Sequence, residues 1–290
     1  MSEIKTFNFT PISNERQKIH IISFSERIRK GKEGVLKPHR TNFYILLFVT
    51  HGSSQHLVDF QIHKITKGDF LIIRPGQVHA FFPSEDSDGT IIAFTEDFLL
   101  HKSRYHFLSE NSRLLSELSF GCLFSLADGK REKVDLLAQM IQQELSNSYD
   151  ELQESILQNH LSSLLLCLLR IKRGDQHLSP ENSKELLYAL QFKNLIEKSC
   201  RKQSTVTQYA KELDISTRSL QKISELHFGK SPKAIIQEYI LLESKRMLID
   251  PTLKVKEIAY NLGFNEPTNF TKFFKKFTNI SPEQFRKSLS

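Results

Sequence analysis

The sequence predicts an α+β chain of two domains, an N-terminal β-domain with flanking helices followed by an all-α domain. Three observations carry this. Apolar residues cluster in short strand-like runs from Tyr44 to about Thr95, then recur at three- and four-residue steps beyond Val134. One supersecondary unit occurs twice in the last third of the chain. The excess positive charge sits there as well: residues 183–290 hold 19 Lys+Arg against 11 Asp+Glu, and residues 1–182 hold 21 against 22. A basic domain joined to a near-neutral one points to a polyanion as partner of the first and a different task for the second.

Composition sets the outer bounds. At 290 residues, 39% hydrophobic and 25% charged, the chain is long enough for two cores and is neither disordered nor collagen-like. Its longest nearly uncharged stretch, Leu161 to Ile171, is broken by two serines and Arg170 and falls short of the ~20 residues that span a bilayer. The opening Met1-Ser-Glu-Ile-Lys-Thr6 lacks the apolar core and cleavage site of a secretory signal. Cys122, Cys167 and Cys200 are odd in number and far apart, which suits a reducing cytosol better than a disulfide framework or a zinc cluster. The expected location is cytoplasmic.

The first strand, Phe43 to Thr50, is rich in aromatic and β-branched residues and stops at the turn cluster His51-Gly-Ser-Ser54. Gln55 to Phe60 and Ile62 to Thr66 follow. After Lys67-Gly-Asp69 come Phe70 to Arg74, the turn Pro75-Gly76, and Val78 to Phe82. The acidic turn Ser84 to Gly89 leads into Thr90 to Thr95. Strands this short and closely spaced predict a small sandwich or barrel, placed at about residues 20–100. Two long helical patterns occupy about 130–171, and the second, Leu152 to Leu169, is apolar over more than one stripe. Such a helix wants burial on several sides, against its own domain, a second subunit, or both. Residues 1–172 are assigned to this domain, and the polar stretch 173–182, with Gly174 and Pro180, reads as a linker.

Residues 183–290 are helical throughout and contain the repeat. Tyr209 to Ser216 matches Ile258 to Asn265 at an offset of 49, and Lys230-Ser-Pro232 matches Ile280-Ser-Pro282 at an offset of 50. Each copy, at about 206–228 and 255–277, has a short helix with an alanine at its crossing point, a tight turn, and a cap residue, Ser216 or Asn265, opening a second helix. This is a helix-turn-helix pattern, in which the second helix enters the DNA major groove. Exposed candidates are Thr217, Arg218, Gln221 and Lys222 in the first copy and Thr268, Asn269, Thr271, Lys272 and Lys276 in the second. Arginine suits guanine, glutamine and asparagine suit adenine, and threonine offers a methyl to thymine, while the lysines suit phosphates. A helix from about Pro232 to Ile249, about 27 Å long, separates the two copies by roughly one duplex turn.

From about Lys184 to Ser288 the chain resembles the DNA-binding domain of AraC/XylS-type transcription regulators. The second copy carries the most specific match: Ile258-Ala259, Leu262-Gly263-Phe264-Asn265, Asn269-Phe270, Phe274-Lys275-Lys276, Ile280-Ser281-Pro282 and Phe285-Arg286. The resemblance implies base-contacting positions at Arg218, Gln221 and Lys222 in the first unit and at Pro267, Thr268, Asn269, Thr271 and Lys272 in the second. Two residues depart from the family pattern: Ser224 stands where phenylalanine is usual, and Pro267 offers no donor.

The strand series resembles the cupin-like sensor domain of the same family, through Pro38-His39, Tyr44, Gly52 and Lys67-Gly68-Asp69 followed by Pro75-Gly76-Gln77 and His79. The N-terminal fold is therefore expected to be a cupin-like β-barrel. Metal-using cupins need a His-x-His pair, but His39 is followed by Arg40 and Thr41, so no metal, cofactor or catalytic residue is expected. GxSxG, a phosphate-cradling glycine loop and paired metal histidines are all missing from the sequence. Candidates for lining an effector site are His39, Tyr44, Arg74, His79, Phe81 and Phe94. The resemblance implies a homodimer that binds double-stranded DNA half-sites and an unidentified small effector, more an activator than a repressor, with RNA polymerase as a candidate partner and no membrane. Two alternatives stay open on sequence: an effector-independent DNA-binding protein whose barrel only dimerises, and a metal-dependent cupin enzyme.

Overall fold

The computed structural model describes residues 5–11, 17–84, 86–99, 110–119, 121–126, 131–174, 180–199 and 205–288. Residues 175–179 of the expected linker, and Cys200, lie outside them. The chain divides into two compact units, one formed by Lys5–Gln176 and the other containing His177–Ser290.

The first unit contains β1 (Thr6–Phe7), β2 (Ile19–Ser23), α1 (Phe24–Leu36), β3 (Arg40–Thr41), β4 (Tyr44–His51), β5 (Ser53–Val58), β6 (Gln61–Thr66), β7 (Asp69–Ile73), β8 (His79–Pro83) and β9 (Asp88–Phe94). These are followed by α2 (Glu96–Leu99), α3 (Glu110–Leu118), β10 (Leu123–Ser125), α4 (Glu132–Ser146) and α5 (Gln153–Arg173). The strands make a five-stranded antiparallel sheet, in the order β10-β7-β4-β9-β2, and a three-stranded one, β6-β5-β8, while β1 pairs with β3 in parallel.

Strand period two explains why the central strands are apolar without interruption. Leu46 and Phe48 of β4, with Phe70 and Ile72 of β7 and Ile92 and Phe94 of β9, face α3, α4 and α5. Their neighbours Leu47, Val49, Leu71, Ile73 and Ile91 face the opposite way and meet Val58, Ile65 and Phe81 of the smaller sheet. The β-barrel thus takes the form of two facing sheets, whose ladders stay separate among the described residues. Gly89 has no room for a side chain, since an added Cβ would lie 2.1 Å from the Phe48 carbonyl oxygen.

Helix α5 is the main strut behind the larger sheet. Leu157, Leu161, Leu164, Leu165, Leu168 and Leu169 are buried in it, each worth about 2 kcal/mol of transfer free energy. The second apolar stripe stays uncovered in the single chain, with Leu166 at 55% and Leu152 at 59% exposure. The end of α5 closes the end of α3. Lys172 Nζ donates to the carbonyls of Glu117 and Leu118 at 2.9 and 2.7 Å, satisfying terminal acceptors for which the last turn of α3 has no basic residue. Arg173 grips the Glu117 carboxylate with two nitrogens, at 2.5 and 2.6 Å. Burial lowers the Lys172 pKa to about 8.

The second unit is helical: α6 (Pro180–Ser199), α7 (Val206–Glu212), α8 (Thr217–Phe228), α9 (Pro232–Leu248), α10 (Val255–Asn261), α11 (Pro267–Thr278) and α12 (Pro282–Ser288). It has two small cores. Phe192, Ile196, Tyr209, Ala210 and Leu220 join Ile236 and Ile240 of α9 in one. Leu248 of α9 joins Ile258, Ala259, Leu262, Phe270 and Phe274 in the other. Helix α9 belongs to both, so the two repeats share one spine.

The repeat holds atom by atom, with one residue inserted. Asp214 (φ 53°) and Gly263 (φ 80°) occupy the left-handed turn position at an offset of 49, and the amides of Ile215 and Phe264 donate to the carbonyls of Ala210 and Ala259, both at 3.0 Å. From the second helices onward the offset is 50: α8 and α11 start at 217 and 267, and their left-handed C-caps are Gly229 and Asn279. The extra residue is Asn265; Glu266 takes the N-cap position of α11 that Ser216 holds in α8, so Asn265 does not fill the capping role the sequence suggests. Ser216 does cap α8, its Oγ accepting from the Ser219 amide at 3.0 Å. Ser224 is fully buried with its hydroxyl unsatisfied, where the second copy buries Phe274.

Candidate nucleic-acid interface and ligand cavity

Each second helix buries one side and leaves the other to solvent. In α8, Leu220 and Ile223 point into the core, while Thr217, Arg218 and Lys222 are exposed and Gln221 is half-buried. In α11, Phe270 and Phe274 are inside; Thr268, Asn269, Lys272 and Lys276 are exposed, and Pro267 and Thr271 are half-buried. Most of the ten candidate DNA-contacting residues are therefore available on helix surfaces, in two equivalent sets.

Several of them already have partners. Gln221 donates to the Glu225 carboxylate one turn on. Lys222 Nζ lies 3.0 Å from Glu185 Oε1 of α6, an exposed pair worth about 1 kcal/mol at most and easily exchanged for a phosphate. The Thr271 hydroxyl donates to the Pro267 carbonyl at 3.1 Å, and Lys276 rests over the Phe277 ring at 5.6 Å. Glu185 was not apparent from sequence as a neighbour of this surface, because its contact with α8 spans 37 residues.

The first unit contains a cavity of about 450 Å³ between the inner sheet faces, α1 and residues 7–10. Its walls are mainly apolar, among them Ile22, Val35, Ile45, Leu47, Ile73 and Ile91. Three of the six candidate effector residues, His39, His79 and Phe81, line it. Tyr44 and Phe94 do not. They stack on each other at 5.3 Å on the opposite face of the sheet, within the core shared with the helices. Arg74 lies after β7, its amide bonded to Gln77 at 2.8 Å, and is likewise not among the lining residues.

Part of the cavity's polar lining is a cluster of three histidines, beside Asn8, Thr10, His20 and Thr41. A backbone bridge joins His39 and His79, each amide donating to the other's carbonyl at 2.9 Å, and their rings lie 4.1 Å apart. His56 Nε2 and His79 Nδ1 are 3.3 Å apart and share a hydrogen bond, while His39 Nδ1 is 2.8 Å from the Lys37 carbonyl. Burial lowers all three pKa values, with nearby positive charge adding to it from Arg27 at His39, from His39 and His63 at His56, and from His39, His56 and Arg27 at His79: His56 falls to about 3 and His79 well below its usual range. The rings are thus neutral, and within the His56–His79 bond one must donate and the other accept. The two outward nitrogens, His56 Nδ1 and His79 Nε2, both buried and unpaired, then make one donor and one acceptor whichever tautomer holds. Among the described residues, no group of three or more His, Cys, Asp or Glu side chains is placed to hold a metal ion.

Arg27 of α1 also lines the cavity, and neither it nor His56 is evident from the strand series alone. Signals for both exist in the sequence. Ser23-Phe-Ser-Glu26 has the spacing of a helix start, and Ser23 Oγ does accept from the Glu26 amide at 3.1 Å. In β5, alternation places Ser54, His56 and Val58 on the buried face.

A cavity-bearing β-domain ahead of two helix-turn-helix units defines a ligand-sensing, DNA-binding transcription regulator. Residues 25–190 match the AraC-like ligand binding domain and residues 209–288 a helix-turn-helix domain. The chain belongs to the AraC family. It is 25% identical over 254 residues to the Msm operon regulatory protein of Streptococcus mutans, covering 85% of this chain and 84% of that protein. To the HTH-type transcriptional activator RhaS of Escherichia coli it is 26% identical over 252 residues, 86% of each. Among solved structures, ToxT from Vibrio cholerae matches 86% of this chain and 90% of its own at 15% identity, with a TM-score of 0.40. The C-terminal domain of the response regulator yesN from Fusobacterium nucleatum matches 36% of this chain and 98% of its own at 31% identity, with a TM-score of 0.32.

Proposed function

We propose that this regulator is a cytoplasmic homodimer that activates transcription when a small effector occupies the cavity of its first unit. The observation that carries the reading is the pairing of a largely apolar cavity with two exposed recognition helices in one chain. Arg218, Gln221 and Lys222 of α8 and Thr268, Asn269, Thr271 and Lys272 of α11 contact bases and phosphates in successive major grooves; Thr217, Pro267 and Lys276 flank them. Support for dimerisation comes from the uncovered apolar side chains Leu136, Leu152 and Leu166 on or beside α4 and α5. No described helix is long and apolar enough to cross a membrane, which agrees with a cytoplasmic site of action. Activation implies a contact with RNA polymerase and is supported by the name of the RhaS relative.

The test is operator binding by Arg218→Ala and Lys272→Ala, measured by anisotropy on DNA from upstream of the protein's own gene. Each variant should lose about 1–3 kcal/mol of affinity with unchanged oligomeric state, and Lys272→Ala should shallow the salt slope by about one unit. Wild-type affinity and slope in both would remove these residues from the interface.

A further inference from the structure

We infer that the cavity of the first unit takes an apolar carboxylic acid, with Arg27 as counter-ion to the carboxylate and the His56–His79 pair as its hydrogen-bonding neighbour. This rests on the reading that the cavity is the effector site and adds the chemical class of the effector. Charge is the first ground. Among the described residues, Arg27 is the only Lys, Arg, Asp or Glu that lines the cavity, and it makes no salt bridge. Burial disfavours its charge, and among the described residues no acidic side chain offsets that cost; His39 and His79, whose pKa values Arg27 itself helps to lower, are neutral. An anion entering the cavity would relieve this desolvation, whereas a cation would add to it.

Shape and polarity give the second ground. Walls of isoleucine, leucine, valine and phenylalanine suit a hydrocarbon body, and the polar lining residues, Arg27 and the histidines among them, suit one polar end. A volume of about 450 Å³ suits a compact body with an acid at one end. The third ground is the fixed complementarity of the His56–His79 pair. Its bond leaves one outward N–H donor in either tautomer, so one hydrogen bond can be offered to the ligand without moving a proton.

The experiment titrates the full-length protein calorimetrically with cinnamate and octanoate, then with the matched neutral amides cinnamamide and octanamide, and with a panel of neutral monosaccharides. The expected result is that at least one acid binds about tenfold or more tightly than its amide, that Arg27→Gln abolishes this preference, and that Arg27→Lys keeps part of it. Ala93→Leu, which adds bulk to the cavity wall, should abolish binding of acid and amide alike. Circular dichroism melts establish that each variant is folded, and Arg27→Lys keeps the test open if Arg27→Gln is not. Amides binding as tightly as acids, an acid preference that survives Arg27→Gln, or binding by sugars alone or by none of the compounds overturns the inference. The effector reading itself fails separately: a reporter behind the gene's own upstream region would respond identically to wild type and Ala93→Leu.

Discussion

At the scale of single residues, the buried histidines are the most consequential groups in the sensor unit. Their folded pKa values lie below the ordinary value of about 6.5, His56 at about 3. Between these values the unfolded chain binds protons that the folded rings refuse. Stability is therefore full above about pH 6.5 and declines as pH falls toward 3. Each of His56 and His79 contributes a slope of up to ~1.4 kcal/mol per pH unit in that window. Urea unfolding followed by circular dichroism should show a clear loss of stability from pH 7 to pH 5, and His56→Gln should flatten it. A pH-independent midpoint over that range would mean that the rings are solvated. Arg27 shows why such residues escape a reading by pattern: it enters the cavity lining from a helix distant in sequence from most of the lining strands, which no local spacing encodes.

At the scale of elements, the two recognition helices differ in how they begin. Ser216 satisfies a first-turn amide of α8 through its side chain; Glu266 makes no such bond at the start of α11, where Pro267 removes one of the donors instead. Ser216→Ala should lower the stability of the helical unit by about 1 kcal/mol, and Glu266→Ala by no more than a few tenths, in thermal denaturation. Equal losses would mean that the caps contribute nothing specific. The elements legible in sequence were those whose own residues carry a strong period. Strands β4 to β9 fall within about two residues of expectation, and α4, α5 and both helix-turn-helix units lie where the apolar spacing puts them. Helix α1 was not legible because Ser25 to Gly34 is mostly charged or glycine, giving it little apolar stripe of its own. Strand β10 is three residues long and exists only by pairing with β7, about 50 residues earlier, so nothing local announces it. The cavity was half legible for the same reason: His39, His79 and Phe81 belong to strand or motif patterns, whereas Tyr44 and Phe94 alternate onto the helix-facing side.

At the scale of the whole molecule, charge and folding divide along the same line. The excess of basic over acidic residues lies in 183–290, and this region has its own two cores joined by α9. A fragment spanning 180–290 should fold independently and bind operator DNA with nearly the full-length salt slope per recognition unit, since phosphate neutralisation sets that slope. A much shallower slope for the fragment, in anisotropy titrations across salt concentrations, would assign phosphate contacts to the first unit. The one-residue insertion at Asn265 bears on how this half can change. Because the added residue is absorbed in the turn, Leu220 and Phe270 keep the same phase on their helices, one buried seam facing inward in each. The outward positions, Arg218 and Lys222 in one copy and Thr268 and Lys272 in the other, are then an interchangeable script written on a fixed spool. Under the proposed base-contact role of these residues, promoter preference changes there, one copy at a time, while the seams that hold both helices remain untouched.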